Sequence, residues 1–394
     1  MLRLLTAGES HGRALVGIIE GVPSNVELAA EYINRQLYRR QQGYGRGARM
    51  KIETDKVEIL TGVRQGKTVG SPISLVIWNR DFENWGEKMA VESIEKEIER
   101  VVIARPGHAD FVGKYKYAFD DIRNVIERAS ARETAMRVAL SAVARKLLDD
   151  LEIKIGSHVF SIGTAGYKSR EALDPILLKM LARKNGAEEI SNEADKSEVR
   201  CLDDNISDKM VQQIKRAKKS GDTLGGIVEV YITGLPIGLG SYVEFDRKLD
   251  GRLAQAVMSI HAIKGVEIGE GFRNATKFGS EVHDEILLKG KRIVRPTNRA
   301  GGLEGGVTNG QPLWIRAAMK PISTLMKPLR SIDLSKMKAV QARRERSDFC
   351  AVPAAAVVAE NIVAPVLADA ILEKFGGDNM GELKERFSRE AFFG

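Results

Sequence analysis

Several things are scarce in this sequence. Cysteine occurs only at Cys201 and Cys350 in 394 residues. Two thiols so far apart exclude a disulfide framework and lead us to expect a reducing, cytoplasmic setting. No apolar run reaches the roughly 18 residues that a membrane span needs, so no membrane partner is expected. The first residues lack the pattern of a secretory leader. No CxxC, HExxH or EF-hand spacing occurs, which argues against a metal site. Aromatic residues make up 6%, few for a protein that stacks nucleic-acid bases.

What is present suits a folded chain that handles anions. Apolar residues make up 43%, enough for an ample core. The net charge is +8, from 61 basic and 53 acidic residues interspersed along the chain. Neither a basic stripe nor a basic tail appears, and arginines recur beside glycine and histidine. That favours small, highly charged ligands over nucleic acid.

No linker, repeat or shift in composition marks a boundary, so residues 1–394 read as a single domain. Helical spacing covers 29–42 around Ile33 and Leu37, 93–102 with Ile94, Ile98 and Val101, and 249–260. Ser130 followed by Glu133 fits a capping box opening a further helix. The Ala/Val-rich stretch 353–375 reads as a long helix, with Pro353 in its first turn, Gly376 as its stop and a kink expected at Pro365. Strands are expected at 57–60, 73–78, 227–233 and 313–319. Mixed elements without a βαβ rhythm indicate an α+β layered fold.

Six stretches carry chemistry. "GESHGR" places His11 between glycines and beside Arg13. Gly8 and Gly12 would let a backbone approach a ligand, and a histidine there can act as a general acid. A strand-end turn with a satisfied ring is the plainer alternative. "RRQQGYGRGARMKIE" gathers Arg39, Arg40, Arg46 and Arg49 on a glycine-rich segment. The guanidinium fork matches carboxylate and phosphate oxygens, although a solvated loop fits as well. "RPGHADFVGKYKY" repeats the histidine theme at His108, with Arg105 before it and Asp110 placed to orient the ring. In "RASAR", Arg128 and Arg132 flank a helix start at Ser130, a seat for phosphate or carboxylate or an ordinary cap. "TNRAGGLEGGVTNG" resembles a phosphate-cradling loop but has neither the Walker nor the dinucleotide spacing. In "RSDFCAVP", Asp348 is a candidate base and Cys350 a small core residue. His158, His261 and His283 read as structural.

Taken in order, "GESHG", "GYGRGARMKIE", "RPGHAD", "ERASARETA", "AVMSIHAIKGVEIG", "TNRAGGLEGGVTNG", "KPISTLMKPL" and "RSDFCAVPAAAVVAE" resemble the chorismate synthase family over nearly the whole chain. The departures are small: His283 where asparagine is usual, and Thr223 and Thr308 where serine is common. The resemblance implies a β-α-β sandwich with internal pseudo-symmetry, assembled as a homotetramer. It implies 5-enolpyruvylshikimate 3-phosphate as substrate, an anti-1,4-elimination of phosphate and the 6-proR hydrogen, and a requirement for reduced FMN. NAD(P)H, or an external flavin reductase, would supply the electrons. By the same resemblance His11 protonates the leaving phosphate. His108 protonates the reduced flavin at its N1/O2 edge, and Asp348 takes a proton from flavin N5. Ser10 and Ser130 relay protons or hold ligands. Arg40, Arg46, Arg49, Arg105 and Arg132 would meet the substrate. Arg128, Ala129, Ser130, Gln255, Ala256, Gly305, Lys320, Pro321, Ile322, Ser323, Thr324 and Arg346 would meet the flavin. Two competing readings are a flavin- or anion-binding protein without elimination activity and an RNA-binding protein. The first would not need His11, His108 and Asp348 together.

Overall fold

The structure is a computed structural model that describes residues 1–47, 54–343 and 347–390. Arg49 and Arg346 lie outside the described residues. In chain order the elements that build the site are β1 (Arg3–Gly8), β2 (Ala14–Glu20), α1 (Ala30–Gln41), β3 (Glu58–Ile59) and β4 (Ile73–Trp78). There follow α2 (Asp110–Tyr117), α3 (Arg123–Arg128), α4 (Thr134–Asp149), β5 (Lys154–Ile162), β6 (Ala165–Gly166) and α5 (Gly186–Ala194). The set ends with β7 (Gly226–Thr233), α6 (Leu249–Met258), β8 (Ile263–Ile268), β9 (Leu313–Met319) and α7 (Val352–Phe375).

The strands form two antiparallel sheets. One has four strands in the order β1-β2-β4-β3, the other five in the order β8-β9-β7-β5-β6. With the short β6 set aside, each sheet runs first, second, fourth, third. In each half a helix lies between the second and third strands (α1, α6) and another follows the fourth (α4, α7). The chain is therefore a repeated β-β-α-β-β-α unit. This symmetry is invisible in the residue pattern, because the two copies differ in sequence and in the lengths of their connections.

The four helices make the middle layer. α4 packs on β2 and β4, α7 on β5 and β7, and α4 and α7 pack on each other. The first sheet alternates: Leu15 and Ile19 are buried while Val16 and Ile18 face outward. That is the pattern of an antiparallel sheet covered on one side. β5 is buried along nearly its whole length. α7 has the length and hydropathy of a membrane span but lies inside the sandwich.

Expected and observed elements agree at β4 and β9 and within one to three residues elsewhere, with one exception. Residues 93–102 are not helical. Val101 is buried, but Ile94 is exposed and Glu92, Glu95, Glu97 and Glu99 face solvent. A helix there has no surface to pack on, and packing supplies most helical stability. Ser130 does cap, accepting from the Arg132 N–H. The box does not close, because the Glu133 carboxylate accepts from the Thr6 hydroxyl instead.

Gly156 marks the tightest approach in the second sheet. A Cβ there would lie 1.7 Å from the Ala187 carbonyl oxygen at the start of α5. We expect Gly156→Ala to cost about 3 kcal/mol or more, because backbone must move on both sides. A urea unfolding midpoint checks it, and an unchanged midpoint would show that α5 shifts freely.

Candidate active site

The turn between β1 and β2 carries Ser10 and His11. Gly8 is required by that turn, with φ of +102° and a Cβ position 2.3 Å from the Ala14 carbonyl oxygen. A Cβ on Gly12 would meet the Glu9 carboxylate at 2.7 Å. These glycines serve the protein's own packing.

His11 is held by a residue that the sequence did not single out. Its Nδ1 lies 3.0 and 2.9 Å from the two carboxylate oxygens of Glu127, and its backbone N–H donates to Glu127 at 2.7 Å. Burial would raise the Glu127 carboxyl. The hydrogen bonds and charge of His11, then Arg123, outweigh it and hold the group below its usual range. The Trp85 ring stacks on the imidazole at 4.0 Å. Beside it, Ser130 Oγ donates to Ser10 Oγ at 3.1 Å, and Arg128 donates to the carbonyls of Gly8 and Thr6.

Asn79, at the end of β4, joins this turn to an arginine cluster. Its Nδ2 donates to the Glu9 and Gly12 carbonyls, and its Oδ1 accepts from the Arg132 guanidinium. Arg132 also pairs with Asp55. Arg40 reaches the same carboxylate at 3.4 Å and donates to Thr134 and to the Ala131 carbonyl. Burial, against the attraction of Asp55, pushes Arg40 down to about 10; Arg46 and Asp348 lie within its electrostatic reach. Arg46 pairs with Asp348 at 2.6 Å, and the Gly47 N–H donates to the other oxygen of Asp348 at 2.6 Å.

Arg105 is placed differently from expectation. Asp110 accepts from its backbone N–H, its Nε and its Nη2 at 2.8–3.0 Å. Asp110 thus locks Arg105 into the start of α2 and does not orient His108. Thr324 touches the His108 ring instead, with its hydroxyl 3.2 Å from Nε2, while Nδ1 lies 3.3 Å from the Pro106 carbonyl. Lys320 and Ser323 both donate to the Gly107 carbonyl. The Ile322 carbonyl accepts from Thr223, so threonine keeps the hydroxyl expected there. Thr308 likewise donates to the Pro236 carbonyl. Pro321 is exposed.

His261, expected to be structural, lies beside the site, within electrostatic reach of Glu133, Arg137, Arg40 and Arg128. Burial pushes its ring down, Glu133 opposes this, and Arg137, Arg40 and Arg128 add to it. Its Nδ1 is buried without a partner among the described residues. Gln255 and Ala256 end α6 nearby: Ser259 donates to the Ala256 carbonyl and accepts from Arg137. Ala129 is exposed next to Ser130. Gly305 is not brought into this group. It lies near Tyr242, on a hairpin tied to the start of α6. Nor is 301–310 a phosphate cradle. It forms that tight hairpin, and Asp284 occupies the N–H groups of Arg299 and Ala300 just before it.

His158 is structural, with its Nε2 3.0 Å from Glu229 inside the second sheet. Both cysteines are buried, and burial pushes the Cys350 thiol up to about 12, as fits a core residue. A cavity of about 610 Å³ lies behind the Gly43–Gly45 turn and reaches Arg46, Arg39 and Arg200.

A fold of two β-β-α-β-β-α halves, with an imidazole presented beside carboxylate-paired arginines, defines an enzyme that handles a small polyanion. Comparison with known proteins makes the class specific. A family model described as chorismate synthase matches residues 2–372. The chorismate synthase of Chlorobaculum tepidum is 58% identical over 388 residues, covering 98% of this chain and 96% of that one. The chorismate synthase of Alkaliphilus metalliredigens is 54% identical, covering 98% of each chain. A crystal structure of chorismate synthase superposes with a TM-score of 0.79 at 44% identity, covering 100% of this chain and 98% of that one. The chain belongs to the chorismate synthase family.

Proposed function

We propose that the chain, as a carbon–oxygen lyase, converts 5-enolpyruvylshikimate 3-phosphate to chorismate and phosphate with reduced FMN bound, the step that feeds aromatic amino-acid synthesis. The observation that carries this reading is His11. Its Nδ1 is occupied by Glu127, while its Nε2 has no partner among the described residues. That leaves Nε2 able to give a proton to a bound ligand.

The residues suit a flavin. The buried, unpartnered Nδ1 of His261 and the cations Arg128 and Arg137 fit an anionic ligand with ring acceptors. Arg128, Ala129, Ser130, Gln255, Ala256 and the segment 320–324 would hold it. Reduced FMN, when bound, supplies electron density to the substrate and recovers it, so the conversion has no net redox change. His11 gives its Nε2 proton to a phosphate oxygen as the C–O bond breaks. Ser10 and Ser130 extend that proton path by their shared hydrogen bond. His108, steadied by Thr324, holds a proton at the flavin N1/O2 edge. Asp348, with one oxygen paired to Arg46 and the other accepting from the Gly47 N–H, would serve as the acceptor for a proton from flavin N5 when the flavin is bound.

Arg40, Arg46 and Arg132 meet the substrate by exchanging a carboxylate partner for a substrate oxygen; the family resemblance gives Arg49 the same role. The chain acts as one domain, in the cytoplasm and as a homotetramer. Leu5, Ile18 and Trp78, exposed on the outer face of the first sheet, support assembly through that face.

An anaerobic assay of phosphate and chorismate release tests the reading with reduced FMN, oxidised FMN and no flavin. Release of both products with reduced FMN alone is expected. No release under reducing conditions would overturn it. Adding NAD(P)H in place of a chemical reductant shows whether the chain reduces its own flavin or depends on an external reductase.

A further inference from the structure

The mechanism above uses His11 but leaves open what makes one of its ring nitrogens the reactive one. Glu127 sits on α3 with its side chain fully buried. An ionised carboxylate only accepts hydrogen bonds, so the imidazole Nδ1 that faces both of its oxygens must be the donor. The same carboxylate takes the His11 backbone N–H, and the Ser10 N–H donates to the Glu127 carbonyl at 3.1 Å. Ring, backbone and the preceding residue are thus all fixed to one position on α3. Trp85 limits the remaining motion, rotation of the ring about its own axis, by stacking at an interplanar angle of 25°. The other charges around this group are Arg123, 3.5 Å from the Glu127 carboxylate and over the Trp85 ring, and Lys88, over that same ring.

We propose that Glu127 is the positioning residue that keeps a proton on His11 Nδ1 and thereby makes Nε2 the atom that faces the leaving phosphate, with Trp85 fixing the plane of the ring. This rests on the reading of His11 as the acid. In the step itself the imidazolium loses its Nε2 proton to the phosphate oxygen. The ring is left as the neutral Nδ1–H tautomer, still bonded to Glu127. Without the carboxylate, the two neutral tautomers compete and the donor nitrogen no longer has a fixed direction. His158 is the internal contrast. Its Nε2 is turned to Glu229 and its Nδ1 lies 3.2 Å from the Val159 carbonyl, so neither nitrogen is left for a ligand.

The test uses the full-length protein in the Glu127→Gln and Glu127→Asp variants, read in two ways. Steady-state kinetics should show kcat for Glu127→Gln falling by about tenfold or more with KM within about threefold, and partial recovery in Glu127→Asp. Nitrogen-15 NMR of histidine-labelled protein should show the neutral His11 ring protonated at Nδ1 in the unsubstituted chain. It should show a shift toward Nε2–H in Glu127→Gln. His11→Asn assigns the signal. An unsubstituted chain whose neutral His11 ring carries its proton on Nε2 overturns the proposal, even if the Glu127 variants fail to fold. So does a Glu127→Gln variant with unchanged kcat and spectrum. A shifted spectrum with unchanged kcat would leave the positioning intact and remove His11 from the chemistry.

Discussion

In His11→Ala, phosphate release slows by about a hundredfold or more while KM stays close to its original value. The expectation follows from what the side chain touches. Among the described residues Nε2 has no hydrogen-bond partner, so removing the ring removes a proton donor at the expense of the Glu127 bond and the Trp85 stacking. The ring is partly exposed, at 19% for the side chain, so the lost burial is modest. The buried Glu127 carboxylate loses one partner but keeps the His11 backbone N–H and Arg123. A variant with near-normal melting behaviour and collapsed kcat identifies the acid. A variant with near-normal kcat removes His11 from the mechanism and leaves the proton to another donor.

The largest expected effect on stability lies elsewhere. Glu360, in the middle of α7, is fully buried and binds Arg39 of α1 at 2.8 and 3.0 Å. It also pairs with Arg145 of α4 and Arg200, and accepts from Ser157 of β5 and Ser191 of α5. Burial alone would raise its carboxyl; Arg39, Arg145 and Arg200 outweigh that and hold it well below the ordinary 4.5. Glu360→Gln leaves three buried guanidiniums facing a neutral amide, with Asp195 as the remaining carboxylate for Arg39 and Arg200 and none paired to Arg145 among the described residues. Breaking a buried pair from one side costs about 3–5 kcal/mol. Denaturant midpoints check this, and a loss under about 1 kcal/mol would show the network to be balanced without its carboxylate. The sign with pH also follows. A carboxyl depressed in the folded state contributes stability that is present above its unfolded value. That stability drains away as pH falls through the folded value. The unsubstituted chain should therefore lose stability progressively below about pH 4.5, the ordinary value for such a carboxyl. Glu360→Gln should show a shallower acid slope, with Glu127 and Glu229, and also Asp284, Glu171 and Asp333, all depressed, contributing to what remains.

The sequence made His11, His108 and Asp348 conspicuous because each stands in an unusual local setting. It could not show who holds them. Glu127 is 116 positions from His11 and belongs to a stretch whose arginines and serine drew attention first. Asp55 follows the arginine-rich segment and Asn79 ends an apolar strand; neither carries a local signal. The pairing of Arg105 with Asp110 was readable as proximity, but proximity alone did not say whether the carboxylate faces the guanidinium or the imidazole. Strands came through where apolar runs are uninterrupted, as at 73–78. The false helix at 93–102 had correct spacing and nothing to pack against.

The repeat has a consequence for how the site comes into being. His108, Arg128 and Ser130 all lie on the connection from β4 to α4. The segment 320–324 and Asp348 lie on the corresponding connection from β9 to α7. These two crossovers meet where Thr324 touches His108 and where Ile103 pairs with Asp333. The pocket is therefore a seam between two equivalent arms, and each arm supplies only part of it. A ribosome that has delivered the first 150 residues has made one sheet backed by α1 and α4, with the far side of those helices uncovered and His108 still without Thr324. The middle layer closes only after α7 emerges, close to the end of synthesis. Until then the nascent chain is half of a sandwich, and a chain cut near residue 150 would give two fragments whose activity depends on finding each other.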